Sequence, residues 1–333
     1  MAETAPVVLS VRDLTVDFQV KDKSSWPWTK PRRLRAVSAI SFELRAGETL
    51  GVVGESGCGK STLARALLNL CPTTSGSVVW MGQDMSGASQ ADWMSVRSNV
   101  QMIFQDPLAS LDPRMTVQQI IAEPLRTHQP DLPAATMSSM VLDIMGKVGL
   151  SKEHLSRYPH EFSGGQAQRI GIARALILRP KVLICDEPVS ALDVSIQAQI
   201  VNLLRQLQKE FGLALVFIAH DLAVVRHISH RIMVMYLGKC MEISTKQALY
   251  AQPRHPYTRA LLSAIPVPDP ERERSKVLMV LHGDLPSPLS PPSGCVFRTR
   301  CPQATAQCAD TAPTLTSLDS SSQVACVLSG SIA

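Results

Sequence analysis

Apolar and polar positions alternate, with β-branched residues among them, in Val7-Val-Leu-Ser-Val11 and again across residues 36–53, which close on Leu50-Gly-Val-Val53. A period of two sets one face against a core, so residues 7–20 and 36–53 are expected to be strands, with a loop carrying Trp26-Pro-Trp28 between them. After Lys60 the period lengthens, because Leu63, Ala66, Leu67 and Leu70 share one helical face and Pro72 ends it. From about 90 to 165 the chain turns polar, with helical spacing in Val117 to Arg126 and Val141 to Val148, which reads as a helical insertion. A helix after Gly165, a strand at Val182-Leu-Ile-Cys185, a helix over Ile196 to Leu207 and a strand from Leu213 to Ala219 follow. Strands alternating with helices imply an α/β fold with a mostly parallel sheet covered on both faces. Beyond about 245, Pro266, Pro268, Pro270, Pro286, Pro288, Pro291 and Pro292 exclude long helices and central strands, so the tail reads as a module of its own. The expected division is therefore 1–89, core; 90–165, helical subdomain; 166–245, core resumed; and 246–333, an irregular tail.

Composition narrows the class. The chain has 333 residues, 45% hydrophobic and 18% charged, as in globular proteins. No apolar stretch reaches the roughly 18 to 20 residues of a membrane-spanning helix, and the first residues lack the pattern of a signal peptide, so a cytoplasmic location is expected. A net charge of +5 is too small and scattered to argue for nucleic acid. Lys30-Pro-Arg-Arg-Leu-Arg35 is read as a solvated basic loop.

Three segments carry chemistry. Gly54-Glu-Ser-Gly-Cys-Gly-Lys-Ser61 fits G-x-x-x-x-G-K-[ST] between a strand and a helix. In such a loop the backbone of Gly54, Glu55, Ser56, Gly57, Cys58, Gly59 and Thr62 wraps phosphates, Lys60 reaches the β and γ phosphates, and Ser61 ligates Mg²⁺. Val182-Leu-Ile-Cys-Asp-Glu187 is an apolar strand ending in two carboxylates, Asp186 suited to the Mg²⁺ shell and Glu187 to polarising a water. Cys295, Cys301, Cys308 and Cys326, spaced C-x5-C-x6-C-x17-C, make a complete thiolate set for a [4Fe-4S] cluster or for tetrahedral zinc. The tail around them shows little apolar periodicity and needs some staple to fold.

Phe162-Ser-Gly-Gly-Gln166 resembles the signature motif of ABC ATPases, with Phe where the usual motif has Leu. The resemblance implies a RecA-like P-loop core of ABC type that binds and hydrolyses ATP with Mg²⁺. It implies that Ser163, Gly164, Gly165 and Gln166 act on nucleotide held by a second ATPase subunit. Gln105 is similar to the Q-loop glutamine, a further Mg²⁺ ligand, Asp193 in Ser190-Ala-Leu-Asp193 to the D-loop, His220 to the switch histidine, and Phe18 to the aromatic that stacks on adenine. Glu187, His220 and Gln105 would be the catalytic set. Across nearly the whole chain, Gln101-Met-Ile-Phe-Gln-Asp-Pro-Leu-Ala-Ser-Leu-Asp-Pro113, Arg157-Tyr-Pro-His-Glu161 and His255-Pro-Tyr-Thr-Arg-Ala-Leu-Leu262 look like the ATPase subunits of oligopeptide and dipeptide importers. That implies two membrane permeases as partners, touched by residues 105–113, an extracytoplasmic peptide-binding protein, and a place on the cytoplasmic face of the membrane. It also favours an iron–sulfur cluster over zinc. Importers of dipeptides, nickel or glutathione carry similar subunits, so another cargo, or a non-transport ABC ATPase, is the alternative.

Overall fold

In the computed structural model, residues 5–21, 31–266, 269–276 and 278–329 are described; the Trp26-Pro-Trp28 loop, Lys30 and Pro268 lie outside them. Contacts group the chain into two compact units, one of Met1–Ser10, Glu43–Thr49 and Val79–Ala219, the other of Val11–Phe42, Leu50–Val78 and His220–Ala333.

In the unit holding residues 79–219, strands Val100–Ile103, Val182–Asp186 and Ala214–Ile218 run parallel. Val182 pairs with Val100 on one side and with Ala214 on the other, and the central strand is buried throughout. An unbroken apolar run is what a strand covered on both faces requires. The strand Val100–Ile103 falls within the stretch expected to be helical. Its pattern Val-Gln-Met-Ile is too short and too mixed to announce itself, and pairing with Val182–Cys185 decides its conformation. The expected helices are present at Val117–His128, Ala134–Lys147, Gly164–Leu176 and Val194–Phe211, the second starting earlier than expected and ending one residue before Val148. Val117–His128 begins in a capping box, Thr116 and Gln119 exchanging side-chain-to-backbone bonds, and buries Val117, Ile120, Ile121 and Leu125 along one face. Residues 36–53 are two strands, Arg32–Arg45 and Thr49–Val53.

The other unit carries the parallel pair Leu50–Val53 with Arg231–Val234, then the antiparallel strand Lys239–Thr245. From the proline-rich tail, Ser322–Val324 pairs antiparallel with Glu242–Ser244 and extends this sheet. Helix Pro256–Ser263, with proline at its first position, also belongs here. The basic segment expected as a loop is instead the start of strand Arg32–Arg45: Arg33 and Arg35 both bond the carboxylate of Asp17, which holds that carboxyl below its usual range. Among the described residues, no helix is long and apolar enough to cross a membrane.

Glu242 and His255 fasten the tail. The buried Glu242 carboxylate accepts the N–H groups of Arg254 at 3.0 Å and His255 at 2.8 Å. His255 Nδ1 in turn accepts Tyr257 N–H at 3.1 Å, capping helix Pro256–Ser263. Burial, with nearby Arg259, lowers the His255 pKa from 6.5 to about 3. The imidazole therefore stays neutral when folded, while the unfolded chain takes up a proton below pH 6.5. Stability attributable to His255 is present above pH 6.5 and is lost as pH falls toward 3, at up to about 1.4 kcal/mol per pH unit. Denaturant melts between pH 7.5 and 5 should show this slope in the wild type. It should be flatter in His255→Asn, whose side-chain oxygen can keep the cap without titrating.

Candidate functional site

The loop after strand Thr49–Val53 is shaped by what backbone alone can occupy. At Gly54, φ is +156° and a Cβ would sit 2.2 Å from the Met235 carbonyl oxygen; at Gly59, φ is +104° and a Cβ would sit 2.1 Å from that of Ala36. The loop is thus pressed against neighbouring main chain at both ends, where only glycine fits. Cys58 O accepts Gly238 N–H at 2.9 Å, a further tie to the adjacent turn. Helix Lys60–Leu67 then starts with no side-chain cap and no acidic residue in its first turn. Its leading N–H groups keep the positive field of a helix start, the environment that suits an anion. Lys60 is only 4% exposed. Its Nζ donates to Gly54 O at 2.9 Å and Glu55 O at 3.1 Å, so the side chain curls back over the loop that precedes it. Burial raises the pKa of Cys58, making it a neutral packing thiol and not a nucleophile. Ser61 and Thr62 lie half-exposed on the helix's first turn.

The carboxylate pair belongs to the other unit. Asp186 closes the buried strand Val182–Asp186, and Glu187 follows with φ at +45°, a left-handed conformation that costs a non-glycine residue of order 1–3 kcal/mol. The turn is held because Glu187 N–H donates to Ile218 O at 3.1 Å, while Glu187 O accepts from Ser190 Oγ at 3.1 Å. This aims the Glu187 carboxylate at Gln105, whose Nε2 donates to it at 3.0 Å. The two residues are 82 positions apart in sequence, and both were expected to be catalytic. Beyond Gln105, the segment is pinned where half-buried Arg174 donates to Ser110 O at 2.6 Å.

In Phe162-Ser-Gly-Gly-Gln166, Ser163 caps helix Gly164–Leu176 in a capping box with Gln166. Gly165 has a packing role as well, since a Cβ there would lie 2.7 Å from Ile196 Cγ2. Asp193 is the N-cap residue of helix Val194–Phe211 but makes no side-chain cap bond, and Val194 beside it is 81% exposed. His220 is exposed at the head of the turn into helix Leu222–Ile228, which Asp221 caps. Phe18 sits half-exposed on strand Val7–Val20, outside the buried core.

The metal site expected at Cys295, Cys301, Cys308 and Cys326 is not gathered in the structure. Among the described residues, no three His, Cys, Asp or Glu side chains are grouped to hold a metal ion. The four are free thiols in one unit, and burial raises the pKa of Cys295 and Cys326, and that of Cys301 to about 11.

Two residues of the C-terminal segment were given no role from the sequence and reach the glycine loop. Tyr257 accepts the Glu55 N–H at 3.1 Å, and Arg300 donates to both Glu55 carboxylate oxygens at 2.9 Å. The only sequence signal was the stretch His255-Pro-Tyr-Thr, which points to a family and not to a contact.

Comparison with known proteins adds relatives to this geometry. Residues 37–190 match the family described as ABC transporter, and residues 241–308 match the oligopeptide/dipeptide transporter C-terminal region. The chain is similar to the oligopeptide transport ATP-binding protein OppF of Escherichia coli strain K12, 59% identical over 95% of this chain and 94% of that protein. Similarity to OppF of Salmonella typhimurium is 60% identity over 94% of each chain. The dimeric, ADP- and phosphate-bound ATP-binding cassette MJ0796 shares the fold, with TM-score 0.64 at 24% identity over 72% of this chain and 98% of that one.

Gly165→Ala should destabilise the protein by about 1–3 kcal/mol, because the new methyl must displace Ile196. Ile196→Ala in the same chain should recover much of that loss, so denaturant melts of both singles and the double should be non-additive. Additive losses would show that Gly165 serves backbone freedom alone.

Proposed function

The chain belongs to the ABC transporter family, and on that premise we propose that it is the ATP-binding and ATP-hydrolysing subunit of an oligopeptide importer. One observation carries this reading: a glycine loop held against main chain, with Lys60 buried over it, in a chain 59% identical to an oligopeptide transport ATP-binding protein along 95% of its length. In this reading the loop amides and Lys60 bind the triphosphate and neutralise charge developing on it, which is most of what phosphoryl transfer asks of a protein. Ser61, Asp186 and Gln105 are oxygen donors of the kind a magnesium ion takes, and the ion would supply Lewis-acid polarisation of the phosphoryl oxygens. Glu187 accepts the proton of the attacking water, Gln105 orients its carboxylate, and His220 contacts the γ-phosphate. Phe18 stacks on the adenine.

Ser163, Gly164, Gly165, Gln166 and Asp193 act on nucleotide held by a second ATPase subunit, so each site is shared between two chains. The unsatisfied Asp193 cap and the exposed Val194 support an outward role for that turn. Phe104 and Leu108, exposed beside Gln105, support contact with a permease. Two permeases and an extracytoplasmic peptide-binding protein complete the importer, and the chain works at the cytoplasmic face of the membrane. Boundaries near 90, 165 and 245 are kept as the working division into core, helical subdomain and tail.

The finer reading of the tail is an iron–sulfur cluster on Cys295, Cys301, Cys308 and Cys326. It is supported by the family resemblance and by each thiol lying within electrostatic reach of the other three. Cys295 N–H also donates to Cys308 O at 2.8 Å. A tetrahedral zinc ion on the same four thiols is the alternative. About four iron and four sulfide per chain in anaerobically purified protein are expected, and an absence of iron would end the cluster reading.

Glu187→Gln should leave ATP binding intact while turnover and peptide uptake by the assembled importer fall by about 10²–10⁴, the usual loss when a positioned base is removed. Hydrolysis at the wild-type rate would overturn the assignment of Glu187.

A further inference from the structure

We propose that the C-terminal segment positions the phosphate-binding loop by clamping Glu55, with Arg300 and Tyr257 as positioning residues for nucleotide affinity. The inference rests on reading the loop as the nucleotide site.

Every polar group of Glu55 is engaged. Its carboxylate accepts from Arg300 Nη1 at 2.9 Å on both oxygens, and its N–H donates to the Tyr257 hydroxyl at 3.1 Å. Its carbonyl accepts from Lys60 Nζ at 3.1 Å and from Cys58 N–H at 3.2 Å. One residue thus joins two groups from the tail to the loop's own turn and to its lysine. Any rotation of the Glu55 peptide moves the carbonyl on which the Lys60 ammonium rests.

The anchors are themselves packed against neighbouring rings. Tyr257 is fully buried, its ring centroid 4.9 Å from that of Tyr236 and 5.3 Å from that of Phe297. Tyr236 and Phe297 meet edge to face at 5.3 Å. Tyr236 ends strand Arg231–Tyr236, the parallel partner of the strand that feeds the loop. The Arg300 guanidinium lies 6.0 Å over the Tyr236 ring, and a short turn, Arg300 N–H to Phe297 O at 3.0 Å, ties the guanidinium's backbone to the ring cluster. The Arg300–Glu55 pair is mostly shielded, with side chains 12% and 26% exposed, so water screens it less than an ordinary surface pair. The pair also neutralises a carboxylate standing one residue into a loop that must attract a highly charged anion. Without Arg300, the Glu55 charge opposes the triphosphate and the loop loses its outer tether.

The test uses the full chain, purified, with a fluorescent ATP analogue and with ATPase assays in the assembled importer. Arg300→Ala is expected to raise the nucleotide Kd about tenfold and KM in parallel, with kcat at saturation changed less than twofold. Arg300→Lys, which keeps the charge, should recover part of the affinity. Tyr257→Phe, which removes only the acceptor for the Glu55 N–H, should weaken binding several-fold. Adding Glu55→Gln to Arg300→Ala should restore affinity toward that of Glu55→Gln alone, since the opposing charge is gone. Wild-type Kd in both Arg300→Ala and Tyr257→Phe, in protein that melts normally, would overturn the clamp. So would strictly additive effects of Glu55→Gln and Arg300→Ala. Lys60→Ala separates the two readings: retained binding there defeats the nucleotide-site reading itself, whereas lost binding there with unaltered Arg300→Ala defeats only the clamp.

Discussion

A buried ammonium is the constraint around which the glycine loop is organised. Taking a lysine charge out of water is costly unless the protein replaces its solvation shell, and at 4% exposure Lys60 retains almost none of the original. The replacement includes two main-chain carbonyls, those of Gly54 and Glu55, turned toward the ammonium. Carbonyls can point that way only if the chain adopts a conformation closed to ordinary side chains at Gly54 and comes close enough to Met235 that a Cβ would collide with it. The glycines, the parallel strand pair and the Glu55 contacts follow from this one requirement. A loop that solvates a cation with its carbonyls turns amides the other way, which suits it to an anion.

The acidic turn of the other unit solves a different problem with similar means. Glu187 is placed by strain, in a left-handed conformation that a glutamate adopts only when its surroundings insist. The insistence comes from Ile218 O and Ser190 Oγ, which take both main-chain polar groups of Glu187 and so fix the direction of its carboxylate. Gln105 receives it, and Arg174 holds the segment that follows Gln105 against the helix Gly164–Leu176. The helix with the Ser-Gly-Gly start and the loop carrying the glutamine are therefore mechanically joined through Ser110. That link was invisible in sequence, because Arg174 reads as an ordinary helical cation.

What could be read from the sequence was local and periodic. Val182–Asp186 and Ala214–Ile218 announced themselves as apolar runs, and the glycine loop was legible from residue types whose spacing is dictated by backbone geometry. The strand Val100–Ile103 was not, since four residues with a central glutamine carry no period and take their form from a partner 82 positions away. Arg32 to Arg35 misled because charge suggests a loop, while Asp17, a residue of the neighbouring strand, pairs with two of the arginines and lets the strand continue. Glu55 was placed in the loop correctly, yet its partner Arg300 lies 245 residues on, beyond what spacing can express.

The tail shows why proline content and weak apolar periodicity do not prevent a segment from being held in place. Its fastening is by discrete polar and aromatic contacts instead of a helix stripe. Buried Glu242 collects the N–H groups of Arg254 and His255, and His255 caps the helix that presents Tyr257. Tyr257 and Phe297 then close over Tyr236, and Ser322–Val324 completes the sheet beside Glu242. Each contact is modest alone, a hydrogen bond contributing about 0.5–1.5 kcal/mol, or somewhat more to a charged group. They are mutually dependent: without the Glu242 carboxylate a buried and a part-buried amide lose their acceptor, and without the His255 cap the helix start that aims Tyr257 at Glu55 is loosened. These contacts tie Tyr257 and Arg300 to the glycine loop through Glu55, and Arg254 and His255 to the sheet through Glu242.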